Sequence, residues 1–211
     1  MNISHEQKLI WMSPKMSGTE NVSKILENYG FLKVTDYTES ELLTKYPTYK
    51  VICGMRNPYE RVFLVYLEVE LRSILVKKDN FESLKKEFND WIRNILIPNK
   101  LIVGVNDVVS GSNIASEYLK KWVFDDKIPN FFIKTENLKD DLDALGFKFD
   151  GIEPNKEEIP FHFNEMYDFD AAKRIYHLYK KHFYLCDYNP FSFTTKELED
   201  YEKIDLIHNI L

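Results

Sequence analysis

Runs of consecutive apolar residues alternate along this chain with stretches in which apolar residues recur every three or four positions, so strands and helices are expected in turn. Lys8-Leu9-Ile10-Trp11-Met12 is a short apolar run stopped by Ser13-Pro14. Val22, Ile25, Leu26 and Tyr29 then share one helical face that closes at Gly30. Phe31 to Val34 predicts a second strand, Thr38 to Leu43 a short helix, and Tyr49 to Gly54 a third strand with β-branched content. Pro58 suits a first helical turn because its missing N–H has no partner there. Tyr59, Val62, Phe63, Tyr66 and Val69 continue that helix. Phe81 to Ile95 and Ile114 to Trp122 predict two more helices around a loop from Gly104 to Asn113. Asn130 to Lys134 is the clearest remaining strand. Thr135 and Glu136 lead from it into a helix through Leu138, Leu142 and Leu145 that ends at Gly146. Gly151 to Asn164 reads as irregular. Asp168 caps a helix carrying Ala171, Ile175, Leu178, Tyr179 and Phe183, and Thr194 or Thr195 caps a last one through Leu198, Tyr201 and Ile204. Strand and helix in alternation predict an α/β fold around a parallel sheet.

Composition narrows the classes. The 211 residues are 44% apolar and 29% charged, which suits one packed domain over residues 1–211 with a sizeable core. A formal net charge of −6 argues against a nucleic-acid partner, whose phosphates require clustered Lys and Arg. Cys53 and Cys186 sit in apolar or aromatic runs and are expected as buried thiols. No charged leader with an apolar core opens the chain and no apolar run reaches the ~20 residues of a membrane helix, so no membrane partner and a cytoplasmic location are expected. The five histidines show no zinc spacing, and no Asp/Asn series suggests calcium. The oligomeric state is left open.

The chemistry concentrates between the first strand and the first helix, in Ser13-Pro14-Lys15-Met16-Ser17-Gly18-Thr19-Glu20. Small residues at Ser17, Gly18 and Thr19 let backbone approach an anion. The N–H groups and dipole of a helix start favour its charge, and Lys15 adds a mobile cation. A capped helix after a tight turn is the plainer account of the same string. The segment is not a Walker A loop, because the lysine precedes the glycine by three residues instead of following one. The third strand ends in Gly54-Met55-Arg56-Asn57-Pro58-Tyr59-Glu60-Arg61. Ligands of parallel α/β sheets sit beyond the carboxyl ends of the strands, so Arg56 and the Lys15 loop are expected to share a crevice. A planar guanidinium suits a terminal phosphate, and a surface ion pair is the alternative.

These segments resemble the sulfotransferase superfamily, especially its carbohydrate-acting branch and bacterial or viral relatives. That family shows Pro-Lys-x-x-Gly-Thr-Ser followed by Arg-Asn-Pro-x-x-Arg, against Pro14 to Glu20 and Arg56 to Arg61 here. Ile133 to Leu138 with Asp141-Leu142, and His162-Phe163-Asn164 ahead of Phe183 to Tyr188, are weaker echoes in the same order. The resemblance implies a three-layer, P-loop-like fold with a central parallel sheet of about four to five strands flanked by helices. It implies a transferase moving a sulfuryl group from 3′-phosphoadenosine 5′-phosphosulfate to a hydroxyl or amine, with a saccharide as acceptor class. Lys15, Met16, Ser17, Gly18, Thr19 and Glu20 would hold the 5′-phosphosulfate, with Lys15 the catalytic cation, and Arg56 the 3′-phosphate. Glu136 and Asn137 would cap the next helix.

The chain departs from the family at Leu64, where a serine commonly gives a second ligand to the 3′-phosphate; leucine donates no hydrogen bond. The family's base lies just past the second strand. Asp36 is the first choice here and Glu39 the second, with helix capping the alternative for both. Trp91, Trp122, Phe161 and Phe163 are aromatic candidates for stacking on an acceptor, or core residues. A catalytically impaired nucleotide-binding protein of the same fold and a P-loop-like phosphotransferase are the competing readings.

Overall fold

A computed structural model describes residues 1–12, 19–70, 81–96, 129–149 and 161–208. The predicted loop from Gly104 to Asn113 and helix from Ile114 to Trp122 lie outside them, as do residues 151–160. The chain forms two compact units, Met1–Arg56 with Trp122–Lys156 and Asn57–Lys121 with Glu157–Leu211.

The first unit is built on one five-stranded mixed sheet: β1 (Asn2–Ser4), β2 (Leu9–Met12), β3 (Leu32–Lys33), β4 (Lys50–Met55) and β5 (Phe131–Lys134), in the order β3-β1-β2-β4-β5. β2, β4 and β5 are parallel neighbours, as expected, with Met12 opposite Cys53 and Met55 opposite Lys134. The sheet is not parallel throughout, which corrects the sequence reading: β1 runs antiparallel to both β2 and β3. A tight turn joins β1 to β2, which only antiparallel strands allow. Ser4 Oγ accepts from Gln7 N at 3.3 Å within that turn.

Residue alternation splits the apolar side chains of this unit between the two sheet faces. Trp11, Ile52 and Ile133 pack with Val22, Ile25 and Leu26 of α1 (Thr19–Glu27) and with Leu138 and Leu142 of α5 (Leu138–Ala144). Ile3, Ile10, Met12 and Val51 pack with Leu42 of α2 (Glu39–Lys45). α1 and α5 close the same way. Gly30 (φ 79°) and Gly146 (φ 83°) take the left-handed conformation that ends a helix, and Phe31 N and Phe147 N reach back to Leu26 O and Leu142 O at 3.2 and 2.9 Å. The turns deliver Phe31 and Phe147 into one cluster as an edge-to-face pair with centroids 5.8 Å apart.

The second unit is helical where it is described: α3 (Pro58–Glu70), α4 (Phe81–Trp91) running into a π-turn (Ile92–Leu96), α6 (Phe163–Met166), α7 (Phe169–Leu185) and α8 (Asp200–His208). Its core is aromatic. Phe88 meets Phe63, Tyr66 and Tyr167 at 5.4, 5.1 and 4.9 Å, and Tyr59 meets Tyr167, Phe183 and Phe193 at 5.1, 5.0 and 5.5 Å. Buried Asn89 joins three segments: its amide donates to Lys85 O (2.7 Å) and Met166 O (2.8 Å), and its oxygen accepts from Asp168 N (3.0 Å). Asp168 caps α7 as the sequence predicts, accepting from Ala171 N at 2.9 Å. Arg93 reaches the same carboxylate, and also Asp170 at 2.9 Å. Burial alone would lower the Arg93 guanidinium, but the bonds to Asp170 and Asp168 outweigh it and hold the group above its ordinary value.

Boundaries toward the carboxyl-terminal end differ from expectation. The last helix starts at Asp200, because Thr194 Oγ1 is engaged in a local turn with Lys196 N (3.0 Å) and Glu202 Oε2 meets Glu199 N (2.9 Å). Asn164, expected in irregular chain, lies inside α6. Cys53 and Cys186 are buried and outside any disulfide. Among the described residues no helix is long and apolar enough to cross a membrane.

Candidate functional site

The parallel strands of the first unit define one rim. β2 ends at Met12, β4 at Met55 and β5 at Lys134, and β3, antiparallel to an antiparallel strand, runs the same way and ends at Lys33. Neighbouring strands lie about 5 Å apart, so the exits of β2 and β4 are one spacing from each other, while β3 stands about 10 Å beyond β2.

Segment 13–18 joins Met12 to the first residue of α1. Lys15, Met16, Ser17 and Gly18 lie outside the described residues, and Thr19 and Glu20 are the first two residues of α1. Both flanks of the segment are tied together: Trp11 is buried in β2 and its Nε1 donates to Ser23 Oγ of α1 at 3.2 Å.

Arg56 follows the last residue of β4 directly and is half-buried, with its Nε inside the protein surface. Thr135 Oγ1 donates to Met55 O at 2.9 Å, locking the adjacent ends of β4 and β5. Lys134 N donates to Asp141 Oδ2 at 2.6 Å, so Asp141 ties α5 to the strand end. Of the expected caps, Asn137 holds the N-cap position of α5 but makes no side-chain capping bond, and Glu136 lies exposed in a 3-10 turn, Thr135–Asn137. Sequence reasoning missed Lys134 as a basic residue beside the end of β4. Its position as the final residue of a strand parallel to β4 was the available signal.

The residues after Arg56 hold the second unit. Asn57 Oδ1 accepts from Tyr59 N (3.0 Å) at the start of α3, and Asn57 Nδ2 donates to Ser192 Oγ (2.8 Å). Tyr59 Oη donates to Pro190 O (2.9 Å), and Tyr59 O accepts from Tyr167 Oη (2.7 Å). Burial raises the Tyr59 and Tyr167 phenols far above their ordinary range, so both stay neutral donors. Arg61 is buried too, and Leu64 is half-buried on α3. Of the Arg-Asn-Pro-x-x-Arg string, Asn57 and Tyr59 thus act as architecture and Arg56 is the residue at the strand end.

Asp36 follows the end of β3 by three residues, is exposed, and accepts from Thr35 Oγ1 at 3.0 Å. Glu39 is half-buried in the first turn of α2. The cap of α2 falls to neither: Thr38 and Glu41 form a reciprocal box, Glu41 N to Thr38 Oγ1 at 3.3 Å and Thr38 N to Glu41 Oε2 at 2.7 Å. The backbone and side-chain bonds from Thr38 hold the Glu41 carboxyl below its usual range. Trp91 and Phe161 are buried core residues of the helical unit, and Trp122 lies outside the described residues. Among the described residues no group of three or more His, Cys, Asp or Glu side chains is arranged to hold a metal. No protein-family model, curated protein or solved structure matches the chain.

Proposed function

We propose that this protein is a sulfotransferase that uses 3′-phosphoadenosine 5′-phosphosulfate, with a three-layer, P-loop-like sheet unit as its platform and a saccharide hydroxyl or amine as acceptor. One observation carries the reading: β2 and β4 are parallel neighbours in register, so Met12, three residues before Lys15, and Met55, the residue before Arg56, end adjacent strands. Two cations far apart in sequence thereby follow neighbouring strands closely in the chain, which suits a ligand phosphorylated at two positions. In this reading the Lys15 to Glu20 segment takes the phosphosulfate and Arg56 the 3′-phosphate.

The step is an in-line displacement. The acceptor oxygen or nitrogen forms the new bond to sulfur, the sulfate–phosphate anhydride bond breaks, and adenosine 3′,5′-bisphosphate leaves with the electron pair. Lys15 balances charge growing on the leaving phosphate, and Asp36, three residues after β3, takes the acceptor proton. Lys15→Ala is expected to cost about 100- to 1000-fold in sulfate transfer. Calorimetric titration with adenosine 3′,5′-bisphosphate should saturate with the native chain and weaken with Arg56→Ala; heats of dilution alone in the native chain reject the proposal.

Leu64 favours a second reading, a nucleotide-binding protein of the same fold with impaired chemistry, because an apolar side chain stands where the resemblance has a phosphate-binding serine. Bisphosphate binding without transfer to any of a panel of glycans would select it.

A further inference from the structure

The opposite, amino-terminal end of the same sheet carries a cleft of about 360 Å³, at the small end of the range for small-molecule sites. Its floor is apolar: Leu9, Ile52, Phe131 and Leu145 also belong to the core on the α1 and α5 side of the sheet. Its edge is cationic. Lys8 precedes β2 and Lys50 opens β4, and none of the described lining residues is acidic, in a chain with 34 carboxylates against 28 lysines and arginines.

The backbones that carry these cations are held in place. Lys8 has φ 55°, the left-handed region that a lysine enters only at a cost of about 1–2 kcal/mol, so the turn imposes this conformation on it. Lys50 N donates to Lys8 O at 3.0 Å, joining the two backbones, and Lys50 Nζ lies 5.6 Å from the Phe131 ring centroid, over the apolar floor. Two lysines on joined backbones beside an apolar floor, with no acidic residue among the described lining, give this edge a positive potential that attracts an anion.

We infer that this cleft binds a small amphiphilic anion, with a carboxylate, sulfate or phosphate head held by Lys8 and Lys50 and an aromatic or short acyl body resting on Leu9, Ile52, Phe131 and Leu145. The inference is independent of the sulfotransferase reading, because the cleft and the rim near Arg56 lie at opposite ends of the strands.

The test uses the full chain, ¹⁵N-labelled, titrated with naphthalene-2-sulfonate and followed by amide shifts. Saturable shifts are expected at Lys8, Leu9, Lys50, Phe131 and Leu145. Inorganic sulfate and neutral 2-naphthol should each bind at least about tenfold more weakly, since one lacks the body and the other the charge. The double variant Lys8→Gly, Lys50→Gln should lose about tenfold or more. Glycine accepts the left-handed backbone, and the amide spectrum itself reports that the variant is folded. Arg56→Ala should leave the titration unchanged. Absence of saturation, equal binding of sulfate or of 2-naphthol, or an unaltered double variant each overturns the inference.

Discussion

The two units of this chain bury different chemistry. In the sheet unit, alternation along β2 and β4 sends apolar side chains to opposite faces, and the described buried polar side chains are Asn2 and Ser4 of the short strand β1. In the helical unit the interior is a network of aromatic rings, with Asn57, Arg61, Asn89 and His182 buried among them. A sheet satisfies its backbone by pairing and leaves side chains to fill space. Helices joined by irregular segments leave backbone groups at each junction that side chains must satisfy. Asn89 and Asn57 answer that need, and neither is readable from hydrophobic periodicity.

Removing buried volume has the largest expected effect on either unit. Phe88→Ala, at the centre of the aromatic network, should destabilise the protein by about 3–5 kcal/mol, and Ile52→Ala in the sheet by about 2–5 kcal/mol. Chemical denaturation measures both. A loss under about 1 kcal/mol for Phe88→Ala would mean that the ring network is not the core.

Asn89→Ala comes next, because it strands Asp168 N and Met166 O inside the protein; an unsatisfied buried group costs about 1–3 kcal/mol. Hydrogen exchange should show lost protection at the start of α7, and unchanged exchange there contradicts the assignment of Asn89 as an anchor. Thr38→Ala removes an exposed cap of the sheet unit and should cost about 1 kcal/mol, with faster exchange confined to α2. An effect equal to that of Asn89→Ala would erase the contrast between surface and interior polar groups.

The smallest effect expected is that of His177. Burial lowers its pKa from 6.5, Lys180 and Lys173 act in the same direction, and a backbone bond to Leu206 opposes them. A base depressed in the folded state binds its proton more readily when unfolded. Stability is therefore full above the ordinary pKa and falls as pH drops from about 6.5 toward the folded value. Replacing His177 with Gln should flatten stability between pH 7 and 5 at that position's share; an identical slope in both proteins removes His177 from the account.

Sequence patterns carried the sheet unit far. The runs at Leu9–Met12, Lys50–Met55 and Phe131–Lys134 and the glycine stops at Gly30 and Gly146 were legible because each is a local signal. β1 was not, since Asn2-Ile3-Ser4 holds one apolar residue and is a strand only because β2 and β3 pair on either side. Hence the sheet looked parallel. At the site, Arg56 was legible as a strand-end arginine, whereas the roles of Asn57 and Tyr59 depend on Ser192, Pro190 and Tyr167, more than a hundred residues away.

The sheet order also has a consequence for biosynthesis. β4 pairs with β5, so one flank of an apolar strand must wait on the ribosome until everything between Met55 and Phe131 has been made, about 4–15 s at 5–20 residues per second. During that interval Val51, Ile52 and Cys53 offer an uncovered edge to any other nascent chain, and slower translation would lengthen the exposure.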